Sequence, residues 1–364
     1  MVIKNGLVFD ENKGFVKRDV FTANGIITET AEDSAEVIDA SECYVIPGLV
    51  DVHTHGAVGH DFCDADPEGL KATAKYEKSR GVTSFCPTSM TYDEGRLSKI
   101  FTNPALKEQS PDMARFIGIN MEGPYICKEK KGAQNADYIQ PADADMFRRL
   151  NSLSGNRIKL VTLAPETEGA LDFVDKVHDE VHISLGHTST DYRIAKAAFD
   201  RGADHVTHLF NAMPPFLHRA PGLVGAAADD EKVFVEMICD GLHLDPAVIR
   251  SAIKLFGPDR AVAISDSMEA CGMPDGEYEL GGQKVFKTGN KATLSDGTLA
   301  GSATDLMGCF RTLLSVGVDL VTAVRMASTN PARSIGETRV GTLRPGAFSD
   351  IVILDRNYDI VRVI

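Results

Sequence analysis

Several features that could direct a search for function are scarce or missing in this sequence. Its 364 residues contain no run of 18 or more apolar residues, and its seven cysteines form no CxxC pair. Without a long apolar run, no membrane-spanning helix is expected. Cysteines that are scattered and odd in number predict buried free thiols in a reducing cytoplasm rather than a disulfide framework.

Positively charged residues are also fewer than negatively charged ones. The chain has 38 lysine and arginine residues against 52 aspartate and glutamate residues, a formal net charge of -14. An acidic surface argues against nucleic acid or an anionic membrane as the main partner. An anionic small molecule would therefore need its own local cluster of positive groups. The first residues, MVIKNGLVFDENKG, alternate apolar and polar side chains and lack the apolar core of a signal peptide.

The two ends of the chain differ from its middle. Residues 1–47 and 337–364 carry short β-like runs broken by turn residues, and neither end is long enough to bury much core alone. We therefore expect both ends to pair into one small β-domain of the sandwich type. Residues 48–336 are expected to form the main domain.

The middle of the chain alternates apolar strand-like runs with helical patterns, which is typical of βαβ units. The predicted strands are 48–53, 82–87, 116–121, 158–163, 181–185, 205–207, 233–238 and 261–264. Eight parallel strands with crossover helices predict an α/β fold, a closed (β/α)8 TIM barrel. A glycine-rich segment over 271–301 resembles an inserted β-hairpin, and helices are predicted over 305–316 and 320–328. An open doubly wound sheet is the alternative, but no GxGxxG motif follows an early strand.

Side chains of the metal-ligand type fall at the predicted carboxyl ends of these strands, where barrels of this kind hold their active sites. The two histidines of VDVHTHG alternate along a strand, so both imidazoles can face one place. One such residue alone is an ordinary structural feature, but six at one barrel mouth predict a metal site. Imidazole and carboxylate ligands suit Zn, Fe, Mn, Co or Ni. The six residues are His53, His55, Glu122, His187, His208 and Asp266.

At these residues, and over nearly its whole length, the sequence resembles the amidohydrolase superfamily and, within it, the N-acetylglucosamine-6-phosphate deacetylases. The HxH pair alone indicates only the superfamily. HLFNAMPP (208–215) and the Glu-Gly-Pro of NMEGPY (120–125) are specific to the deacetylases. Further matching segments are PGLVDVHTHG (47–56), KKGAQNA (130–136), LGHTSTD (185–191), RAPGLVGAA (219–227), DGLHLDP (240–246), ISDSM (264–268) and STNPAR (328–333).

The resemblance implies metal-dependent removal of the acetyl group from N-acetylglucosamine 6-phosphate by a cytoplasmic homodimer. Glu122, His187 and His208 would hold the main catalytic metal, with zinc the first choice. His53 and His55 would support a second ion, and Asp266 would be the catalytic acid and base. The implied substrate contacts are Ala133, Gln134, Asn211, Ala212, Arg219, His243, Leu299, Ala300 and Gly301.

One position departs from the family pattern, and three other functions stay open. Relatives commonly have a histidine where this chain has Gln134, whose side chain can donate a hydrogen bond but cannot become cationic. A galactosamine-6-phosphate deacetylase differs only in sugar stereochemistry, which the sequence does not decide. Cyclic amidases typically carry a carboxylated lysine where this chain has Glu122. A non-catalytic assembly protein on the same barrel would not be expected to keep all six ligand-type residues.

Overall fold

The main domain is a barrel of eight parallel strands, seen in a computed structural model that describes residues 1–30 and 35–364. Neighbouring strands pair in sequence order from β1 to β8. At the carboxyl end, the Asp266 backbone N–H donates to the His53 carbonyl at 2.9 Å and joins the eighth strand to the first. The predicted (β/α)8 barrel is confirmed. Its strands are β1 Leu49–Thr54, β2 Val82–Ser89, β3 Ile119–Glu122, β4 Ile158–Leu163, β5 His182–Leu185, β6 His205–Val206, β7 Phe234–Ile238 and β8 Ala261–Ile264.

Helices cover the outside of the barrel, so its strands are buried on both faces, as parallel sheets usually are. Six of the eight helices begin at an aspartate whose carboxylate accepts backbone N–H groups of the first turn. Such a cap fixes where each helix starts after its strand. The helices are α1 Pro67–Ser79, α2 Glu94–Phe101, α3 Ala144–Ser154, α4 Ala170–Val177, α5 Tyr192–Asp200, α6 Gly222–Ala228, α7 Pro246–Phe256 and α8 Leu306–Ser315.

Shorter elements lie in the connections between these strands and helices. A two-residue strand, Arg115–Phe116, extends the sheet beside β2, and Gly56–Ala57 pairs with His60–Asp61 just beyond β1. Short 3-10 helices occupy the loops at Phe62–Asp64, Pro104–Lys107, Lys128–Lys130 and Ala136–Tyr138.

Two elements after β8 differ from the prediction. The insertion is a three-stranded antiparallel sheet, Gly276–Leu280, Gln283–Thr288 and Lys291–Thr293, rather than a single hairpin. The predicted helix over 320–328 starts as Leu320–Val324, widens into a π turn at Arg325–Thr329 and continues as Asn330–Ser334. The helical path therefore passes through Pro331, with the wider turn placed where the missing proline N–H would otherwise break the hydrogen-bond series.

The two chain ends form a small β-domain, as predicted, because Ile351–Leu354 pairs antiparallel with Tyr44–Pro47. Its two sheets enclose a separate apolar core that includes Ile3, Val45 and Ile353. The domain boundaries at residues 47/48 and 336/337 stay predictions. One sheet contains Gly14–Lys17, Leu7–Asp10, Tyr44–Pro47, Ile351–Leu354 and Ile360–Val363, and the other Ile26–Thr28, Val20–Ala23, Val2–Lys4 and Val37–Asp39.

Free thiols and moderate helix lengths characterise the described part of the chain. All seven cysteines are free, and all but the half-buried Cys43 are buried. Within residues 1–30 and 35–364, no helix combines the length and apolar character needed to cross a membrane.

Candidate active site

Six ligand-type side chains from five strands meet at the carboxyl end of the barrel, because each lies at or just past the end of its strand. His53 is the penultimate residue of β1 and His55 directly follows that strand, while Glu122 is the final residue of β3. His187, His208 and Asp266 each stand two residues past the end of β5, β6 and β8. The alternation of the HxH pair and the parallel strands therefore bring all six side chains to one place.

The first group of converging atoms comes from β3, β5 and β6. The Nε2 atoms of His187 and His208 each lie 3.1 Å from Glu122 Oε1, and they are 3.1 Å from one another. All three side chains are buried. Ligands about 2.0–2.1 Å from a tetrahedral ion stand about 3.3 Å apart, so this spacing matches a small cation at their centre.

The second group joins the HxH pair to Asp266. His55 Nε2 lies 3.2 Å from Asp266 Oδ1, and His53 Nε2 lies 3.6 Å from the same oxygen. Glu122 touches this group too, since its Oε2 is 3.5 Å from His55 Nε2. The two oxygens of one carboxylate therefore face both groups, an arrangement in which Glu122 can bridge two ions.

The contacts of the Nδ1 atoms indicate which tautomer the neutral histidines adopt. In three of them Nδ1 faces a backbone carbonyl, which can only accept a hydrogen bond, so Nδ1 carries the proton and Nε2 offers a lone pair. Two such lone pairs and a carboxylate oxygen at 3.1 Å have no hydrogen among them, and this repulsion is relieved by a cation. The donor set therefore fits a divalent metal. The pairs are His55 with Thr88 (3.1 Å), His187 with Lys130 (2.8 Å) and His208 with Asn211 (3.2 Å).

The charges of the metal-free cluster shift its pKa values in opposite directions. Burial alone raises the pKa of Glu122, but the neighbouring histidines outweigh it and hold that pKa well below its ordinary value. Asp266 behaves in the same way, with burial opposed by His55 and His53, and its pKa is lowered. Burial lowers the pKa of His53, whereas Glu122 and Glu236 raise it to about 10. In the absence of metal, a proton on His53 thus offsets part of the negative charge of the carboxylates.

Backbone conformation also distinguishes three of these residues. His187, His208 and Asp266 have φ values of 46°, 28° and 48°, in the left-handed region that non-glycine residues rarely adopt. Each of them lies where the chain leaves a strand, and the turn directs its side chain across the barrel mouth. Such conformations cost free energy and persist at functional sites where the surrounding structure fixes them.

A cavity of about 380 Å³ opens above the cluster. That volume is in the range of small-molecule sites. His55, Glu122, His187, His208 and Asp266 form part of its lining, whereas His53 lies fully buried beneath them. Of the predicted substrate contacts, the cavity wall includes Ala133, Gln134, Asn211, Ala212, His243, Leu299 and Gly301. Ala300 is buried beside the wall and is not part of it.

Gln134 is held rigidly at the edge of the cluster. Its Oε1 accepts the Thr91 backbone N–H at 2.7 Å, and its Nε2 donates to Glu122 Oε2 at 2.6 Å. Because the carbonyl side of the amide is taken, the NH2 group faces the cavity. One of its two hydrogens is committed to Glu122, which leaves the other as a neutral donor.

His243 supplies positive charge on the far side of the cavity. Its Nδ1 lies 2.7 Å from Asp240 Oδ2, and both side chains are almost fully buried. Burial lowers the pKa of His243, but Asp240 outweighs burial and raises it above the ordinary value for histidine. The ring therefore keeps its second proton to higher pH than an ordinary histidine.

Arg219 does not reach this cavity within its own chain. It is exposed and lines a neighbouring groove with Asp191, Tyr192 and Leu217. The same loop presents two large apolar side chains to solvent, Phe216 at 49% and Leu217 at 51% exposure. In this conformation Arg219 thus lines a groove separate from the cavity that contains the metal-ligand cluster.

Sequence reasoning missed one residue of the cluster, Glu236 on β7. Its Oε2 lies 3.0 Å from His53 Nδ1, and its side chain is completely buried. A signal was present in the sequence, because Glu236 is the one charged residue in the apolar run VFVEMI over 233–238. Burying a carboxylate in a strand costs free energy unless a hydrogen-bonding or oppositely charged partner compensates it.

A smaller histidine–carboxylate group lies at the opposite end of the barrel, at the starts of β5 and β6. His182 Nδ1 and His205 Nδ1 lie 2.6 and 3.5 Å from the two oxygens of Asp204. Burial raises the pKa of Asp204, but the two histidines outweigh it and lower that pKa to about 2. The carboxylate thus accepts from both rings, whereas His205 Nε2 is buried without a hydrogen-bond partner among the described residues.

With the geometry described, the chain can be compared with known proteins. A family model for the amidohydrolase family matches residues 44–364. The N-acetylglucosamine-6-phosphate deacetylase of Bacillus subtilis (strain 168) is 33% identical over 377 residues, which covers 100% of this chain and 95% of that protein. The N-acetylgalactosamine-6-phosphate deacetylase of Escherichia coli O157:H7 is 32% identical and covers 94% of this chain and 91% of that protein.

Solved structures agree with the sequence relatives. An N-acetyl-D-glucosamine-6-phosphate deacetylase mutant from Mycobacterium smegmatis, in complex with N-acetyl-D-glucosamine-6-phosphate, superposes with a TM-score of 0.92 at 29% identity. That match covers 100% of this chain and 97% of the other. The N-acetylglucosamine-6-phosphate deacetylase of Thermotoga maritima gives a TM-score of 0.89 at 28% identity, covering 100% and 98% of the two chains.

Proposed function

The chain belongs to the amidohydrolase family, and on that premise we propose that it is a metal-dependent deacetylase of N-acetylglucosamine 6-phosphate. The products are glucosamine 6-phosphate and acetate, as in amino-sugar catabolism. The observation that carries the proposal is the convergence of lone pairs from His187, His208 and Glu122 beside a cavity with a cationic histidine. Few functions other than metal-assisted hydrolysis of an anionic substrate need both features.

Each subunit holds one or two divalent ions. Glu122, His187 and His208 are the ligands of the first, and His53, His55 and Asp266 surround the second position with Glu122 between them. Nitrogen-rich sites of this kind suit zinc first, with Fe, Mn, Co and Ni as alternatives. When bound, such an ion supplies Lewis acidity, which lowers the pKa of water and polarises a carbonyl.

Asp266 is the proton carrier of the reaction. Its pKa is lowered, so at neutral pH it is an ionised base at the cavity wall. It takes a proton from the attacking water and later delivers that proton to the nitrogen of the leaving amine. Gln134 donates its free N–H toward the amide oxygen and helps to stabilise the charge that develops there.

The phosphate is bound by His243 and Arg219. His243 faces the cavity with a proton that Asp240 helps to retain. Arg219 offers a planar fork suited to a phosphate, but from a loop outside its own cavity. We therefore infer a homodimer in which Arg219 of each subunit completes the phosphate site of the other. The exposed Phe216 and Leu217 beside Arg219 are the apolar surface that such a contact would cover.

The corresponding galactosamine phosphate is the second candidate substrate. It is favoured by the relative from Escherichia coli O157:H7, which is 32% identical against 33% for the glucosamine-specific relative from Bacillus subtilis. A one per cent difference does not separate the two epimers. A cytoplasmic location follows from the proposed role, since phosphorylated sugars are intracellular metabolites.

The test is acetate release from a panel of N-acetylated amino sugars on metal-reconstituted protein. The panel pairs N-acetylglucosamine and N-acetylgalactosamine, each with and without the 6-phosphate, and adds a cyclic amide. We expect turnover of a 6-phosphate sugar at least about tenfold above its unphosphorylated partner, because one lost charged contact costs about 1.4 kcal/mol or more. Hydrolysis of the cyclic amide alone would contradict the proposal. Metal-loaded protein without activity on any compound would favour a non-catalytic assembly role.

A further inference from the structure

Glu236 is a fully buried carboxylate at the floor of the metal cluster. It lies in β7 and, like His53, has no exposed surface. Placing a charged carboxylate in a barrel interior is costly unless hydrogen bonds and an opposite charge compensate it. Among the residues that the structure describes, no lysine or arginine forms an ion pair with Glu236.

The contacts of Glu236 point toward His53. Its Oε2 lies 3.0 Å from His53 Nδ1 and also accepts the His208 backbone N–H at 3.4 Å. Because an ionised carboxylate can only accept, His53 carries its proton on Nδ1. When the ring is neutral, as a metal ligand must be, Nε2 is therefore the nitrogen with the lone pair, and it has no hydrogen-bond partner within the described ranges. It faces Glu122 and Asp266 at 3.5 and 3.6 Å.

His53 differs in this respect from the other three histidines of the cluster. The Nδ1 atoms of His55, His187 and His208 all face neutral backbone carbonyls. Only His53 among the four faces a charged acceptor. A charge-assisted hydrogen bond is shorter and stronger than a neutral one, and it makes the opposite ring nitrogen a better electron donor.

We propose that Glu236 is a positioning residue that fixes the orientation and proton form of His53, and so sets the affinity of a divalent ion at His53, His55 and Asp266. This inference rests on the proposed metal dependence and goes beyond it, because it states that different groups orient the histidines at the two ion positions. Both rings of the first position are oriented by backbone carbonyls, whereas at the second position His55 is oriented by a carbonyl and His53 by a removable carboxylate.

Charge balance supports the same conclusion. Histidines bind a metal as neutral rings, so the metal-bound cluster would contain three carboxylates, Glu122, Asp266 and Glu236, and no positively charged imidazole. Two divalent ions would offset these charges, whereas one ion would leave the second group net negative. A buried Glu236 is therefore consistent with an interior that is completed by the second ion.

The experiment measures metal binding rather than turnover. Wild type, Glu236→Gln and Glu236→Met are reconstituted with Zn²⁺, and the bound metal is counted by mass spectrometry and titrated against a chelator. Gln keeps an acceptor for His53 Nδ1 without the charge, whereas Met removes both. We expect Gln to weaken one ion about 10- to 100-fold, Met to weaken it further, and the other ion to bind as in wild type.

Glu77→Gln is the matched control. Glu77 is likewise a fully buried carboxylate, but it lies on α1 and its side chain hydrogen-bonds none of the described residues. Burial holds the pKa of Glu77 well above its ordinary value, so Glu77→Gln tests the general effect of replacing a buried carboxyl group by an amide away from the cluster. The metal affinities of this variant should match those of wild type. Circular dichroism on each variant checks that the barrel is folded.

Cadmium-113 NMR of the Cd²⁺-loaded proteins supplies a site-resolved readout that a general loss of stability would not produce. Two resonances are expected in wild type, and only one should shift or disappear in Glu236→Gln. Equal affinities for every bound ion in wild type and both Glu236 variants would overturn the inference. So would an equal weakening of both ions, or the same loss in Glu77→Gln. Because no readout uses substrate, a failure of the proposed deacetylase activity remains distinguishable.

Discussion

At the scale of single residues, two aspartates beside the cavity have different chemistry because they face different partners. Asp266 lies against His55 and His53 at the centre of the cluster, and its carboxylate is part of the cavity wall. Asp240 lies behind His243 and has no place in that wall. Asp266 can therefore exchange a proton with a substrate, whereas Asp240 acts only through the histidine in front of it.

Replacing Asp266 by Asn should abolish most turnover while leaving substrate binding in place. The Asn side chain has the size of the Asp side chain and keeps one oxygen with a lone pair. It cannot carry a proton between water and the leaving amine. Positioned acid–base groups contribute typically 10²- to 10⁴-fold, so we expect kcat to fall by about that factor. Steady-state kinetics on protein with measured metal content gives the answer. A variant with wild-type metal content and near-normal kcat would remove Asp266 from this role.

Asp240→Asn should change the pH dependence of substrate binding. In wild type Asp240 raises the pKa of His243 against the opposing effect of burial, so the ring stays cationic to higher pH than a free histidine. KM for the phosphorylated sugar should therefore stay low at neutral pH and rise as pH increases through that raised pKa. In Asp240→Asn the pKa falls, and the rise in KM should move to lower pH.

The unphosphorylated sugar is the control for this experiment, because its KM should be insensitive to the charge of His243. The measurement is a profile of kcat/KM against pH for both sugars and both proteins. Superimposable profiles of wild type and variant with the phosphorylated sugar would contradict the role of His243 as a cation.

At the scale of secondary structure, apolar runs and strand ends carried most of the predictive information. Each barrel strand contains or adjoins apolar residues, and the ligand-type residues lie at or just after the strand ends, so the fold and the convergence could both be predicted. The third strand of the insertion, Lys291–Thr293, was missed because a strand of three residues with one buried side chain leaves little pattern in the sequence.

Other features depend on contacts that no local pattern records. The role of Glu236 depends on its contact with His53, which is 183 residues away in sequence but adjacent inside the barrel. Arg219 follows HLFNAMPP closely in sequence, yet it points into a separate groove. The position of a side chain on a long loop is decided by packing, which spacing along the chain does not describe.

Gly186 links the end of β5 to His187 in a space that admits no side chain. A Cβ atom there would lie 2.6 Å from Thr207 Cβ, a branched side chain directly before His208. Gly186→Ala must therefore push apart the two strand ends that carry His187 and His208. We expect a loss of about 1–3 kcal/mol in the free energy of unfolding, together with weaker metal binding.

Urea unfolding and chelator titration measure these two effects. Gly276→Ala is the control, because a Cβ atom at Gly276 has its nearest neighbour in the Tyr278 ring at an ordinary 3.6 Å. Unchanged metal affinity in Gly186→Ala, despite a loss of stability, would show that the two strand ends move without disturbing the ligands.

At the scale of the whole molecule, the inferred dimer makes each active site a product of two chains. Arg219→Ala should raise KM mainly for the phosphorylated sugar, and equal effects on the free sugar would count against a phosphate contact. A stronger test co-expresses Arg219→Ala with Asp266→Asn, each form carrying a different affinity tag. A mixed dimer then has one site in which both defects meet and one site in which neither is present.

With random pairing, half of the dimers are mixed, and half of their sites are intact. We expect the co-expressed protein to recover about a quarter of wild-type activity at low substrate, whereas the two variants alone have little. Activity no greater than the sum of the separate variants would indicate that Arg219 serves no neighbouring site. Size-exclusion chromatography with light scattering checks that dimers are present.

The pairing of Ile351–Leu354 with Tyr44–Pro47 also has a consequence for the order of events during synthesis. On a ribosome that adds about 5–20 residues per second, the later strand emerges tens of seconds after the earlier one. Throughout that interval the edge of Tyr44–Pro47 is open, directly before the first barrel strand, while the barrel is being completed. A nascent chain interrupted before residue 351 would thus keep an unpaired strand edge that can associate with other chains, and Ile351–Leu354 removes this hazard only when synthesis is almost complete.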